Sequence, residues 1–225
     1  MSETTTAKVS FSELAYRELR RRILENELPA GFQATEQEVA ALLDMSRTPT
    51  REALVRLASE RLVEIRPRHG MRVLPVSAED MREIYQVLTG LEASAAASVA
   101  AKGLSDGELG QLEQAVSDME DALRDDDLEN WAKADERFHA LLVDFSGNER
   151  LKAVVETFLG QAHRVRRLTL KLRPKPTRSN LAHAAVVKAI KEGDREKAWR
   201  VHMKHREESG EMLVGLLQDL GLTQL

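Results

Sequence analysis

Apolar residues recur at helical spacing in two short runs between residues 35 and 59, which predicts two short helices joined by a tight turn. Thr35 is expected to cap the first helix, because Glu38 follows three residues later, as in a capping box. Ser46 is expected to cap the second helix. A longer amphipathic helix over 11–27 precedes both.

A strand pattern follows these helices. Residues 62–65 have strand character, residues 66–70 form a basic turn, and residues 71–74 return as a second strand. This pattern predicts a two-stranded wing with Arg68 and His69 at its tip.

The rest of the chain shows helical periodicity alone. Six helices are predicted, over 77–102, 105–124, 127–146, 148–173, 177–192 and 194–219. The predicted fold class is therefore mainly α, with a winged helix-turn-helix domain over 10–76 and an antiparallel bundle of about six helices over 77–225. Residues 1–9 are polar and are expected to be disordered.

Composition narrows the class of protein. The 225 residues are 42% hydrophobic and include no cysteine, which excludes disulfides and thiolate metal sites. The N-terminal stretch has no apolar run typical of a signal peptide, and no run of 18 apolar residues predicts a membrane span. We expect a cytoplasmic protein with no membrane partner.

The net charge of −4 is unevenly distributed. Residues 1–76 contain 12 Lys and Arg against 11 Asp and Glu, whereas residues 77–225 contain 21 against 26. A nearly neutral N-terminal domain predicts modest non-specific affinity for DNA. Specific binding is expected to need a focused basic patch and two copies acting together.

That basic patch is predicted at the start of the second short helix, where Arg47, Thr48, Thr50 and Arg51 cluster. A helix N-terminus favours phosphate, and arginine pairs bidentately with guanine in the major groove. Together with the basic wing, this arrangement predicts double-stranded DNA as a partner.

The segment LRRRILENELPAGFQATEQEVAALLDMSRTPTREALVRLASERLVEIRPRHG resembles the DNA-binding domain of the GntR superfamily of bacterial regulators. The resemblance implies that the recognition-helix start and the wing tip contact an operator. The predicted DNA-binding residues are Ser46, Arg47, Thr48, Thr50, Arg51, Arg68, His69 and Gly70. Two positions depart from the family pattern, with Arg61 where glycine is usual and Gln37 where arginine can touch DNA.

Histidines in the helical region are candidates for metal binding. Asp135 and His139 are four residues apart and share one helical face. His183 and His205 lie on later predicted helices among apolar neighbours. Three imidazoles and one carboxylate suit Zn²⁺ or Ni²⁺, but spacing supports only the first pair. Each histidine taken alone is predicted instead to be a lone polar group that is satisfied by a hydrogen bond or by water.

Three further segments, YQVLTGLEASAAASVAAK, ADERFHALLVDFSGNERL and HAAVVKAIKEGDREKAWRVHMKH, resemble the FCD-type ligand domain of the FadR subfamily. The resemblance implies that one divalent ion per chain, Zn²⁺ or Ni²⁺, is held by Asp135, His139, His183 and His205. His202 lies three residues before His205, and it is expected either to take no part in metal binding or to replace one of these four ligands. The family pattern is broken at Ala182, where glutamate is frequent, and at Leu88, where an arginine is common.

In such domains the ion helps to hold a small organic acid. A carboxylate effector would need a cationic or donor group as well as the metal. Arg164, Arg166, Arg167 and Lys171 are candidates on one predicted helix, most of which must face solvent. Arg164, Arg167 and His163 are the predicted effector-binding residues.

The sequence therefore predicts a homodimeric repressor that binds a palindromic operator and responds to a small carboxylate effector at the metal site. Three alternatives remain open. In the first, the ion itself is the signal that the regulator detects. In the second, the protein is a metal-dependent hydrolase. In the third, the histidines form a metal-free pocket that binds an effector directly. The hydrolase is disfavoured because there is no HEXXH motif or nucleophile motif, so no enzyme activity is predicted.

Overall fold

The computed structural model describes residues 9–221, so the disorder predicted for 1–9 lies outside the described residues except at Val9. The chain divides into two compact units, one ending at Pro75 and the other beginning at Val76. Within 9–221, no helix is long and apolar enough to cross a membrane.

Within residues 9–75, the N-terminal unit contains three helices and a small antiparallel sheet. Its elements are α1 (Phe11–Leu24), β1 (Gln33–Ala34), α2 (Glu36–Leu42), α3 (Arg47–Ser59), β2 (Val63–Arg66) and β3 (Gly70–Val73). The sheet order is β1-β3-β2, so the wing has three strands rather than the predicted two. Strand β1 pairs Gln33 with Arg72 and Ala34 with Met71. A strand of only two residues cannot be recognised in the sequence from alternating polar and apolar positions.

Two helix starts in this unit were predicted from capping residues. Thr35 and Glu38 form the expected capping box at α2. Ser46 occupies the capping position of α3, but its side chain makes no capping bond. The Thr50 hydroxyl instead donates to the Ser46 carbonyl at 2.9 Å. Helix α1 ends at Leu24, three residues before the predicted end.

The wing hairpin lies directly against β1 at Gly70. This residue has φ +81°, and a Cβ there would lie 2.1 Å from the Ala34 carbonyl oxygen. Only glycine fits this close backbone approach, because any side chain would collide with backbone rather than with a movable side chain. Gly70 is therefore required by the fold itself.

The second unit is the predicted bundle. The six α-helices that the structure describes between residues 76 and 221 are α4 (Ala78–Lys102), α5 (Asp106–Arg124), α6 (Leu128–Phe145), α7 (Glu149–Leu168), α8 (Thr177–Lys191) and α9 (Arg195–Asp219), with a 3₁₀ turn at Leu170–Leu172. Helix α7 ends five residues before the predicted 173. Arg173 is extended (φ −89°, ψ 151°), as expected for a residue that precedes proline.

Helices α4 and α9 form the most extensive pairing of the bundle, and α5 packs on α6. The apolar core lies between α4, α5, α6 and α8 and includes Val99, Met119, Phe138 and Val186. Gly210 of α9 lies against the Tyr85 ring of α4, where a Cβ would be 2.8 Å from Cδ1 of the tyrosine. The absent side chain lets these two helices approach closely.

Candidate metal centre and nucleic-acid interface

The four predicted metal ligands lie together in the bundle. Asp135 and His139 come from α6, His183 from α8 and His205 from α9. Each is buried, with at most 7% of its surface exposed. Residues far apart in sequence thus converge at one point, which spacing alone did not establish.

Their donor atoms are close enough to share one ion. The Nε2 atoms of His139 and His183 are 3.4 Å apart. Asp135 Oδ1 lies 3.5 Å from His183 Nε2 and 3.7 Å from His139 Nε2. One nitrogen from each of His139, His183 and His205 lies within 4.8 Å of the other two.

This geometry fits a divalent ion of borderline softness. Two nitrogens that bind one tetrahedral zinc ion at about 2.0–2.1 Å are roughly 3.4 Å apart. The Nδ1 atom of His183 is buried without a hydrogen bond. The nitrogen of His183 that faces the other ligands is Nε2, so Nδ1 would carry the proton when Nε2 binds an ion.

The charge states of His183, His205 and Asp135 favour coordination. Burial lowers the pKa of His139, but Glu92 and Asp135 outweigh it and raise this pKa above its ordinary value. Burial lowers the pKa of His183 to about 3 and holds that of His205 well below its ordinary value, so both imidazoles are neutral near pH 7. Burial raises the pKa of Asp135, but Arg166 and His139 outweigh it and keep the carboxylate ionised. Arg166 forms an ion pair with Asp135 Oδ2, which leaves Oδ1 facing the histidines.

A second layer of buried polar residues lies behind His139. Glu92 Oε2 is 2.8 Å from His139 Nδ1 and 3.1 Å from His202 Nε2. Arg206 Nη2 is 3.1 Å from Glu92 Oε1. Burial raises the pKa of Glu92, but Arg206 and His139 outweigh it and lower this pKa well below its ordinary value.

Sequence reasoning missed Glu92 and Arg206. A signal was present in the segment TGLEASAAASVAA, where Glu92 is the single charged residue of a small and apolar run. Leu88, Ala96 and Val99 lie one or two turns away on the same buried face of α4. A carboxylate on such a face requires a partner in the core.

A small cavity reaches the same cluster. Its lining includes Asp135, His139 and His205 together with Arg166, Arg173 and Arg206. Arg173 makes no ion pair within residues 9–221, and its Nε is buried without a hydrogen bond, although Nη2 donates to the Arg166 carbonyl at 2.7 Å. Burial and the neighbouring Arg166 lower the pKa of Arg173 to about 10, so it remains a cation.

The three residues predicted to bind the effector do not line this cavity. His163 Nδ1 lies 2.6 Å from Glu136 Oε1, and Arg167 Nη2 lies 3.7 Å from Glu129 Oε2. Arg164 is buried in α7. Arg166 is the arginine of α7 that lines the cavity, and Arg173 reaches the cavity from the segment after α7.

Polar residues at the start of α3 are exposed, as DNA contact would require. Arg47 and Arg51 have 71% and 73% of their side-chain surface accessible, and Ser46 and Thr48 are also exposed. The Glu36 carboxylate lies 3.6 Å from Arg47 and 3.8 Å from Arg51.

Thr50 departs from this pattern. It is fully buried and its hydroxyl is bonded to Ser46, so its expected contact with DNA does not agree with its position. Thr50 lies between Arg47 and Arg51 along α3, but helical periodicity places its side chain on the buried face of the helix. At the wing tip, Arg68 and His69 are both exposed.

Comparison with known families gives two matches that together cover most of the chain. Residues 11–73 match the family described as bacterial regulatory proteins, gntR family. Residues 83–208 match the FCD domain.

Individual relatives are named as regulators. A HTH-type transcriptional regulator from the TAR-I ttuE-ttuC' intergenic region of Agrobacterium vitis is 42% identical over 131 residues, which cover 57% of this chain and 77% of that protein. The HTH-type transcriptional repressor RspR of Escherichia coli is 27% identical over 91% of this chain and 89% of its own. The gluconate operon transcriptional repressor of Bacillus licheniformis is 27% identical over 92% and 85%.

Solved structures share the fold. Escherichia coli McbR/YncC matches with a TM-score of 0.77 at 21% identity, over 92% of this chain and 99% of the other. A GntR regulator from Rhodococcus sp. RHA1 matches with a TM-score of 0.71 at the same identity and coverage.

Proposed function

We propose that this chain is a repressor controlled by a small organic acid bound beside a metal ion. The chain belongs to the gntR family of bacterial regulatory proteins and carries an FCD domain. It is thus a DNA-binding transcriptional regulator and not an enzyme. Its relatives RspR and the gluconate operon regulator are named repressors. The FCD architecture also fits the FadR-like subfamily.

One observation carries the proposal. Asp135, His139, His183 and His205, drawn from three helices, converge in a buried cluster that borders a cavity lined by arginines. These four residues hold one divalent ion, Zn²⁺ or Ni²⁺. Such an ion, when bound, supplies open coordination positions to oxygen ligands.

The effector is a small acid with a carboxylate. Arg166 already pairs with Asp135, whereas Arg173 has no carboxylate partner within residues 9–221. A buried cation without a partner favours an anionic ligand at the cavity. Arg173 thus takes the role of the arginine that Leu88 replaces in α4, and Leu88 itself is fully buried.

DNA contact is assigned to Ser46, Arg47, Thr48 and Arg51 of the recognition helix α3, with Arg68, His69 and the Gly70 backbone at the wing. A homodimer presents two such surfaces to a palindromic operator. Two copies compensate for the nearly neutral charge of each N-terminal unit, because a single copy gains little from non-specific phosphate attraction.

The first test is the metal content of purified protein. We expect about one Zn²⁺ or Ni²⁺ per chain in the wild type and its loss in His183→Ala, measured by elemental analysis after dialysis. His163→Ala is the matched control, because His163 pairs with Glu136 away from the cluster. Equal metal content in wild type and His183→Ala would remove the assigned site.

The second test separates an acid effector from the ion as the signal. Operator duplexes are first selected from random sequences with metal-loaded protein. Their affinity is then measured with Zn²⁺ alone, with Zn²⁺ and malate, and with Zn²⁺ and succinate, which lacks the chelating hydroxyl. A change that requires an acid and disappears in Arg173→Gln supports the proposal. A full response to Zn²⁺ alone favours a metal sensor.

A further inference from the structure

We propose that Glu92 is a positioning residue for the metal ligand His139, and that His202 and Arg206 hold Glu92 in place rather than bind an ion themselves. This inference rests on the proposed function, because it requires an ion at the Asp135 cluster. It assigns a role to the buried layer that lies behind the ligands.

The two nitrogens of the His139 ring face different partners. Nδ1 lies 2.8 Å from Glu92 Oε2, and Nε2 faces His183 Nε2 at 3.4 Å and Asp135 Oδ1 at 3.7 Å. A carboxylate beside Nδ1 favours the tautomer with its proton there. The lone pair of Nε2 is then directed at the other ligands, and a carboxylate partner also raises the basicity of a ligating imidazole.

Glu92 is itself fixed by α9. His202 approaches Oε2 at 3.1 Å, and Arg206 approaches Oε1 at 3.1 Å. All three side chains are buried, with 0%, 0% and 2% exposure for Glu92, His202 and Arg206. The carboxylate is therefore shielded from solvent, and the polar groups that lie against it are those of His202, Arg206 and His139.

Glu92, His139 and His202 also lie close enough to form an alternative metal cluster. The distances argue against an ion there. Glu92 Oε2 lies 2.8 Å from His139 Nδ1 and 3.1 Å from His202 Nε2, which are hydrogen-bond distances, whereas two ligand atoms of one tetrahedral zinc ion are roughly 3.4 Å apart. In the Asp135 cluster, Oδ1 lies 3.5 Å from His183 Nε2 and 3.7 Å from His139 Nε2, which leaves room for an ion between them.

The test is the affinity of the protein for Zn²⁺, measured by competition with a chromophoric chelator. We expect Glu92→Gln to bind Zn²⁺ about 10- to 100-fold more weakly than wild type. Glu136→Gln is the matched control, because Glu136 Oε1 lies 2.6 Å from His163 Nδ1 in a pair outside the cluster. Its affinity should equal that of the wild type.

A second readout separates positioning from general destabilisation. Co²⁺ absorption spectra report ligand geometry, and Glu92→Gln should alter the visible bands while Glu136→Gln leaves them unchanged. Circular dichroism of the metal-free proteins establishes whether each variant folds. If Glu92→Gln does not fold, Glu92→Asp keeps a carboxylate one methylene further from His139 and should give a smaller loss of affinity.

His202→Asn completes the test. We expect a change in Zn²⁺ affinity of less than about threefold, because His202 contacts Glu92 and not the ion. A loss as large as that in His183→Ala would place the ion in the alternative cluster and overturn the inference. Wild-type affinity in Glu92→Gln would overturn it while leaving the metal site intact, whereas a wild type that binds no Zn²⁺ would remove the metal from the proposed function as well.

Discussion

The arginines at the two candidate binding sites have opposite surroundings. In the N-terminal unit, Arg47 and Arg51 are more than two-thirds exposed and lie 3.6 and 3.8 Å from a single shared carboxylate, that of Glu36. In the helical unit, Arg166 and Arg206 are 8% and 2% exposed, and each pairs with a buried carboxylate.

This difference in the burial of the arginines corresponds to two kinds of binding site. Exposed arginines remain hydrated and can exchange a weak partner for phosphate or guanine at little cost. Buried ion pairs have already lost their water, so removal of one partner leaves an uncompensated charge in the core. The first arrangement suits a surface that exchanges partners, and the second suits a site held in fixed geometry.

The largest expected effect tests the buried side of this comparison. Arg206→Met should lower the free energy of unfolding of the metal-free helical unit by about 3–5 kcal/mol, because Glu92 loses its cation. Urea denaturation followed by circular dichroism measures it. The control is Arg137→Met on α6, whose partner Asp118 is exposed and whose loss should cost no more than about 1 kcal/mol. Similar losses in both variants would refute the contrast.

A smaller effect is expected on the exposed side. Arg51→Ala should weaken operator binding about 10- to 100-fold, as expected for the loss of a bidentate base contact. Its stability should change by less than about 0.5 kcal/mol, because the side chain is solvated. Fluorescence anisotropy with a selected operator and thermal unfolding measure the two quantities. Unfolding in parallel with the loss of affinity would mean that Arg51 is structural.

The next prediction concerns the backbone conformation at Arg61 and its effect on the stability of the N-terminal unit. Arg61 has φ +55° at a position where related DNA-binding domains usually have glycine. Arg61→Gly should stabilise the N-terminal unit by about 1 kcal/mol, because glycine adopts this conformation without a steric penalty. Arg61→Ala removes the same charge but keeps the Cβ, so it should bring no gain. Chemical denaturation of both variants compares them.

The smallest effect concerns Glu36. Glu36→Gln should raise affinity for a random-sequence duplex about two- to fivefold at low salt, because a carboxylate no longer competes with phosphate for Arg47 and Arg51. Glu25→Gln makes the same charge change beyond the end of α1 and should have a weaker effect. A difference that persists at high salt would point to a cause other than charge.

Local signals made most of the fold predictable. The capping box at Thr35 and the helical periodicity of the bundle depend on residues close in sequence, and both agree with the structure. The errors arose where a partner elsewhere decides the local outcome. Strand β1 exists only because it pairs with β3, and the burial of Thr50 follows from packing around α3.

The candidate metal centre was predicted by resemblance more than by spacing. Spacing joined Asp135 to His139, whereas the approach of His183 and His205 depends on how α6, α8 and α9 pack. Glu92 was missed because its neighbours along α4 carry no sign of the histidines, which are contributed by other helices. Arg173 was missed because the segment after α7 was predicted to be helical.

The contact between Gly210 and Tyr85 has a mechanical consequence. The tyrosine ring occupies the space that a side chain at position 210 would need, so any larger residue there would have to displace the ring or separate α4 from α9. Tyr85 also borders the cavity and has Arg206 4.7 Å above its ring. Helix α4 begins at Ala78, five residues after the wing strand ends at Val73. The helix that borders the cavity thus begins close in sequence to the end of the wing.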